Sequence, residues 1–315
     1  MSYALLFPGQ GSQEVGMARG LVERSRTARS LFQRADEALG FPLSRIVFEG
    51  PEEELRKTEF TQPAILVASL AAFEVLREEM GSDLAPAFLA GHSLGEYSAL
   101  VASGVLALED GVRLVHLRGR LMQEAVPLGE GAMAALLGLT ADQVRQICAA
   151  VDGERVCEAA NFNSPGQIVV SGHVDALERA MALAKEIGAK RALLLNVSAP
   201  FHCRLMAPVA DRLREAFSSM TWCEPTWPIV TNAWATPQGT VDSLQRALYE
   251  QTFSPVRWEE SMLHLGTLGV DRFLEVGPGR VLSGLAKKCL KGASTANLGD
   301  VGDIEGSLAF LKEGQ

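Results

Sequence analysis

Apolar residues along this chain fall into short continuous runs and into stripes of helical spacing, and the two kinds alternate. Tyr3–Phe7 is apolar throughout, which predicts a strand buried on both faces. It runs into a polar, glycine-rich loop, Pro8–Gln13. Three helical patterns follow, over Ser30–Leu39, Gln62–Met80 and Leu94–Val101, with Thr61 expected to cap the second. The run APAFLA ahead of Gly91 predicts another strand, so residues 91–95 turn from strand into helix.

The middle of the chain has a pattern of its own. Ala132–Leu137, Val156–Ala160, Gln167–Val170 and Arg191–Val197 read as strands. A helix opened by the capping box Thr140–Gln143 follows the first, and Val174–Ile187 is a helix before the last. That order, βαββαβ, is of ferredoxin-like type. It predicts a small subdomain at 127–197, inserted into a larger α/β body made of 1–126 and 198–315. The body resumes with a helix at Arg204–Phe217 and a strand at Pro228–Thr231. Helices near Val241–Gln251 and Val256–Leu265 lead to a strand at Arg272–Val276 and a turn at Gly277–Gly279 that opens another helix.

Composition narrows the class. The 315 residues are 47% apolar and 21% charged, as in ordinary globular chains, and suffice for a large core. No apolar run reaches a bilayer span, since Ala64–Phe73 stops at Glu74, and the N-terminus lacks a signal-peptide pattern. Five cysteines without C-x-x-C spacing point to reduced thiols in a cytoplasm, and neither they nor the histidines have metal-ligand spacing. A net charge of −9 argues against nucleic acid and anionic membranes as partners. An acidic partner would need a local basic patch, for which Lys185, Lys190 and Arg191, or Lys287 and Lys288, are the candidates.

Chemistry centres on Gly91-His92-Ser93-Leu94-Gly95. A strand-to-helix turn flanked by glycines pushes a serine Oγ outward and aims a helix N-terminus, with the Leu94 N–H, at it. Ser93 is thus a nucleophile or a polar residue in a tight turn. A nucleophile needs a base. Among five histidines, His92 is too close, His116 and His264 sit on ordinary helices, and His173 starts a helix in the small subdomain. His202, at the seam where the chain returns to the body, is left by elimination. Arg118 lies on the apolar face of its helix with Leu114, Val115, Leu121 and Met122. It is either a structural cation paired with a carboxylate or a guanidinium offered to a substrate carboxylate. The loop Pro8–Gln13 has neither the lysine of a P-loop nor a dinucleotide fingerprint. It is a plain turn, or it lends a second N–H to an oxyanion.

These residues form an ordered series: FPGQGSQ, GHSLGEYSAL, the arginine of LRGRLMQEA, NSPGQ, SAPFH and EVGPG. The series resembles malonyl-CoA:acyl carrier protein transacylases of type II fatty acid synthesis, and acyltransferase domains of polyketide and type I synthases, over nearly the whole chain. The resemblance implies an α/β-hydrolase-like body with a ferredoxin-like insertion. It implies Ser93 as nucleophile, His202 as base, and Gln251 at the position whose backbone carbonyl holds the histidine. It further implies oxyanion donors at the Gln10 and Leu94 N–H groups, malonate binding by Arg118, and a malonyl-selecting Phe201. No cofactor is expected beyond the substrates malonyl-CoA and phosphopantetheinylated acyl carrier protein, and the resemblance favours a monomer. Two rivals remain at this level. A serine hydrolase would need an acidic triad member and a late histidine such as His264, and would give Arg118 no role. A carrier-binding scaffold without activity would be marked by loss of the serine, base or arginine.

Overall fold

A computed structural model describes residues 2–197 and 199–313; Ser198, in the SAPFH motif, lies outside them. The chain forms β1 (Ser2–Phe7), then five helices: α1 (Arg19–Arg24), α2 (Arg26–Leu39), α3 (Leu43–Glu49), α4 (Glu52–Leu55) and α5 (Thr58–Met80). Next come β2 (Phe88–Gly91), α6 (Leu94–Ala102) and α7 (Leu108–Glu124). The middle contributes β3 (Gly131–Leu137), α8 (Ala141–Val151), β4 (Cys157–Ser164), β5 (Gln167–His173), α9 (Val174–Glu186) and β6 (Arg191–Leu194). Then follow α10 (Ala207–Phe217), β7 (Ile229–Val230), β8 (Pro237–Gln238), α11 (Val241–Gln251), α12 (Trp258–Thr267), β9 (Val270–Val276), α13 (Val281–Cys289), β10 (Ser294–Leu298) and α14 (Ile304–Lys312).

Two sheets result, and the fold is mixed α/β. The larger runs β10-β9-β1-β2-β7-β8, parallel except for the β7–β8 pair. β1 sits at its centre, which is why its run is apolar on both faces. Tyr3, Leu5 and Phe7 join the core under α5, while Ala4 and Leu6 pack with Trp258, Met262 and Leu285 on the other side. The smaller sheet is antiparallel, ordered β4-β5-β3-β6, the ferredoxin-like arrangement. Strand alternation divides its residues. Ala134, Leu136, Ile168 and Val170 pack under α8 and α9, whereas Met133 and Val169 face the core of the body.

The two sheets are fastened together. Asn161 bridges Val256, and their neighbours exchange backbone bonds, Phe162 N to Val256 O at 2.9 Å and Val256 N to Ala160 O at 2.8 Å. This pairing extends β4 past the predicted Ala160 and delays α12 to Trp258 instead of Val256. β6 ends at Leu194, short of the predicted Val197.

α5 departs most from expectation. It begins at Thr58, not Gln62, and Thr61 is no cap: its hydroxyl donates to Leu55 O at 2.5 Å from inside the helix. The misleading signal is Pro63, which the helix contains. Proline removes the N–H that would reach Glu59 O. That carbonyl instead pairs with His116 Nδ1 of α7 at 2.9 Å, so the helix continues through the proline. Begun earlier, α5 is long and apolar enough by length and composition to cross a membrane, contrary to the reading of its apolar run. It is instead the central helix of the body, with 83% of its most apolar window buried inside the protein.

Candidate active site

The elbow at Ser93 exists because three glycines let backbones touch. A Cβ on Gly91 would come within 1.9 Å of Gly95, and one on Gly95 within 2.0 Å of Phe7 O. One on Gly9 would meet His92 O at 2.5 Å, so the loop after β1 lies directly against the turn. Ser93 has φ 52° and ψ −103°, a conformation costing a non-glycine residue about 1–3 kcal/mol. Asn232, just after β7, holds it there. Its Oδ1 accepts the Ser93 N–H at 2.6 Å and its Nδ2 donates to Gly91 O at 2.7 Å.

His202 reaches the serine from the loop before α10, itself in a left-handed conformation at φ 60°. Ser93 Oγ and His202 Nε2 are 2.7 Å apart, and His202 Nδ1 is 2.9 Å from Gln251 O. A backbone carbonyl can only accept, so Nδ1 carries the proton and Nε2 is free to take one from the serine. Burial, with the nearby Arg118 charge, pushes the imidazole down to about 3, which keeps it neutral. Arg204, two residues on, ties this loop to the small sheet. It bonds Asp152 Oδ1 at 2.8 Å and Oδ2 at 3.0 Å, pairs with Glu158, and donates its backbone N–H to Glu158 Oε2 at 2.8 Å.

Arg118 is fully buried and points at the same serine. Its Nη2 lies 3.1 Å from Ser93 Oγ and 3.1 Å from Gln251 Oε1, its Nη1 2.9 Å from Gln62 Oε1, and its guanidinium 5.2 Å from the Tyr97 ring centroid. Among the described residues it forms no direct ion pair; the buried carboxylate of Glu96 is reached only through the Gln251 amide. A buried guanidinium with neutral partners beside a serine can receive an incoming carboxylate.

Leu94 is the first residue of α6, so its N–H has no acceptor within the helix. Gln10 follows Gly9 in the loop that rests on the elbow, and its Oε1 accepts from Gln62 Nε2 at 3.4 Å. A cleft of about 730 Å³ opens beside Gln10 and Gly11, lined also by Arg56, Thr58 and Val197. Phe201 is buried in the core of the body. Thus Ser93, His202, Arg118 and Gln251 meet directly, Leu94 follows Ser93 at the start of α6, and Gln10 reaches Gln62, which also holds Arg118. His264 lies away on α12, and His92 pairs with Asn163 of the NSPGQ motif at 2.8 Å. Among the described residues no group of three or more His, Cys, Asp or Glu side chains could hold a metal.

Glu96, Asn232 and Gln62 were not expected here. Glu96 lies in the first turn of α6, where an acid normally reads as a helix-dipole partner on the surface. It is instead buried, its Oε2 accepting from Asn232 N at 2.8 Å and Gln251 Nε2 at 3.0 Å.

Residues 4–305 match the family model of the acyl transferase domain. The malonyl CoA-acyl carrier protein transacylase of Bacillus subtilis (strain 168) is 47% identical over 98% of this chain and 97% of the relative. An acyl carrier protein S-malonyltransferase from Vibrio cholerae superposes at TM-score 0.94, with 44% identity over 98% of this chain and all of that one. A malonyl-transacylase in complex with a type II PKS acyl-carrier protein superposes equally, at 43% identity over 99% of this chain and all of that one. The chain therefore belongs to the acyl transferase family, among the proteins named malonyl CoA-acyl carrier protein transacylase.

Proposed function

We propose that this enzyme moves a malonyl group from malonyl-CoA to the phosphopantetheine thiol of acyl carrier protein in two steps, through an ester on Ser93. The observation that carries it is a neutral imidazole and an unpaired buried guanidinium converging on one serine. His202 takes the Ser93 proton as Oγ attacks the thioester carbon. The Gln10 and Leu94 N–H groups stabilise the tetrahedral oxyanion, each worth about 3 kcal/mol. The C–S bond breaks, and His202 returns its proton to the departing CoA sulfur. The carrier thiol then attacks the ester by the reverse sequence. Arg118 holds the free carboxylate throughout and disfavours acetyl groups, because a site built for a charge loses heavily without it. Phe201 bounds the acyl pocket and crowds an α-methyl branch. No cofactor is required by these steps.

The reaction takes place at the seam between the body, 1–126 and 198–315, and the small subdomain, 127–197. The protein works as a cytoplasmic monomer supplying extender units for fatty acid synthesis. Acidic carrier protein docks on a basic surface where the two candidate clusters meet. Lys190 and Lys288 line one cleft of about 410 Å³, and Lys288 Nζ donates to Gln167 of the small sheet at 3.1 Å.

Intact-protein mass spectrometry after brief exposure to malonyl-CoA or acetyl-CoA tests the reading. One malonyl adduct should form on the native chain, vanish in Ser93→Ala, and be lost or replaced by acetyl in Arg118→Ala. An adduct that persists without Ser93 overturns it. Replacing both Lys190 and Lys288 by Glu should raise the KM for carrier protein and spare loading from malonyl-CoA; equal damage to both half-reactions excludes the docking surface.

A further inference from the structure

Behind the serine, a buried cation and a buried anion face each other through one amide. Gln251 Oε1 accepts from Arg118 Nη2 at 3.1 Å, and Gln251 Nε2 donates to Glu96 Oε2 at 3.0 Å. The amide dipole is thus oriented with its oxygen to the guanidinium and its nitrogen to the carboxylate. The same residue's backbone carbonyl holds His202, and its Nε2 also donates to Ser93 O at 3.1 Å. Glu96 Oε1 is buried without a hydrogen-bond partner among the described residues. No carboxylate pairs with Arg118 and no cation pairs with Glu96 among them, so each is the other's nearest compensation across Gln251. A second carboxylate brought to Arg118 would claim that compensation and repel Glu96.

We propose that Glu96 is a charge-compensating positioning residue: ionised in the free enzyme, it takes up a proton when the acyl carboxylate settles on Arg118. This rests on the reading of Arg118 given above. The charged and titratable groups acting on or beside Glu96 are Arg118 from α7 and Tyr97 next to it on α6, with His202 beyond Gln251, whose carbonyl it meets. Tyr97 is pushed up to about 12 and His202 down to about 3, so both stay neutral near pH 7. Burial has already lifted the Glu96 carboxyl to about 7 against the pull of Gln251, Asn232 and Arg118. An anion on Arg118 lifts it further. Below both values Glu96 carries a proton in either state; above both it carries none. Between them, loading with malonyl consumes a proton.

Transfer itself consumes none while the CoA thiol stays protonated, because the Ser93 hydroxyl proton ends on the CoA sulfur. Uptake is therefore attributable to the site. In weakly buffered solution with a pH indicator, at about pH 8, native enzyme mixed with malonyl-CoA should take up protons in proportion to the adduct formed, and none with acetyl-CoA. The loading equilibrium, read as adduct fraction by mass spectrometry, should fall relative to Glu96→Gln by up to about tenfold per pH unit above pH 7. Glu96→Gln should abolish the uptake while retaining an acceptor for Asn232 and Gln251. Adduct without uptake in the native enzyme overturns the proposal whether or not the variant folds. Uptake that persists in Glu96→Gln assigns the proton elsewhere and overturns it too. Absence of any adduct refutes the transfer reading instead, so the two failures are distinct.

Discussion

At Ser93, reactivity follows from what surrounds the side chain rather than from the side chain itself. The serine motif and the arginine on an apolar face stood out in the sequence as oddities of pattern, whereas His202 was reached by elimination, and the roles of all three came from the family resemblance. Glu96 did not stand out, since an acid in a first helical turn is ordinary and only the packing of α6 under β7 and α11 makes it unusual. His202 yields a pH prediction. A free histidine would lose activity as pH falls through about 6.5. Burial holds this one at about 3, so the base remains unprotonated well below that point. The rate of malonyl loading should therefore not fall between pH 8 and about 5.5, by rapid-quench measurement; an acid limb near the unperturbed histidine value would contradict the assignment. Gln251→Ala removes the amide joining Arg118 to Glu96 but keeps the carbonyl that orients His202. Discrimination of malonyl over acetyl should fall by about tenfold or more, with a smaller loss in transfer rate, by competition between the two thioesters.

Among the elements, most strands and the βαββαβ order were legible from period and length, while the start of α5 was not. A proline five residues inside a helix reads as a boundary, and only a tertiary contact, His116 to Glu59 O, removes the penalty. His116→Phe keeps a ring against Phe41 and Phe60 and deletes that bond. It should cost about 1–3 kcal/mol in urea unfolding and leave loading unchanged. β10 escaped for a different reason: Ser294–Leu298 is an edge strand of mixed polarity, and its place is set by parallel pairing with β9 rather than by an apolar run. At the elbow, Gly95→Ala would drive a methyl into Phe7 O. Separation of α6 from β1 should abolish loading and lower the thermal midpoint by several degrees or more, consistent with the cost of overpacking, about 1–3 kcal/mol.

For the molecule as a whole, the small sheet does more than cover the core. Through Arg204 it grips the loop that carries His202, at Asp152 and Glu158. Arg204→Ala should leave the fold intact yet slow both half-reactions by up to about a hundredfold, since a displacement near 1 Å at a reacting group costs that much. Single-turnover rates beside circular dichroism would separate this from unfolding. The clasp on Ser93 has a wider consequence. Asn232 and Gln251 hold the elbow from 139 and 158 residues downstream. Contacts so distant along the chain carry a loop-closure cost that must be met before they form. Until they close, nothing fixes the strained turn or brings His202 to it, and the serine is an ordinary alcohol. A nascent or half-folded chain that lacks those downstream segments is thereby chemically silent among reactive thioesters, its serine no different from any other.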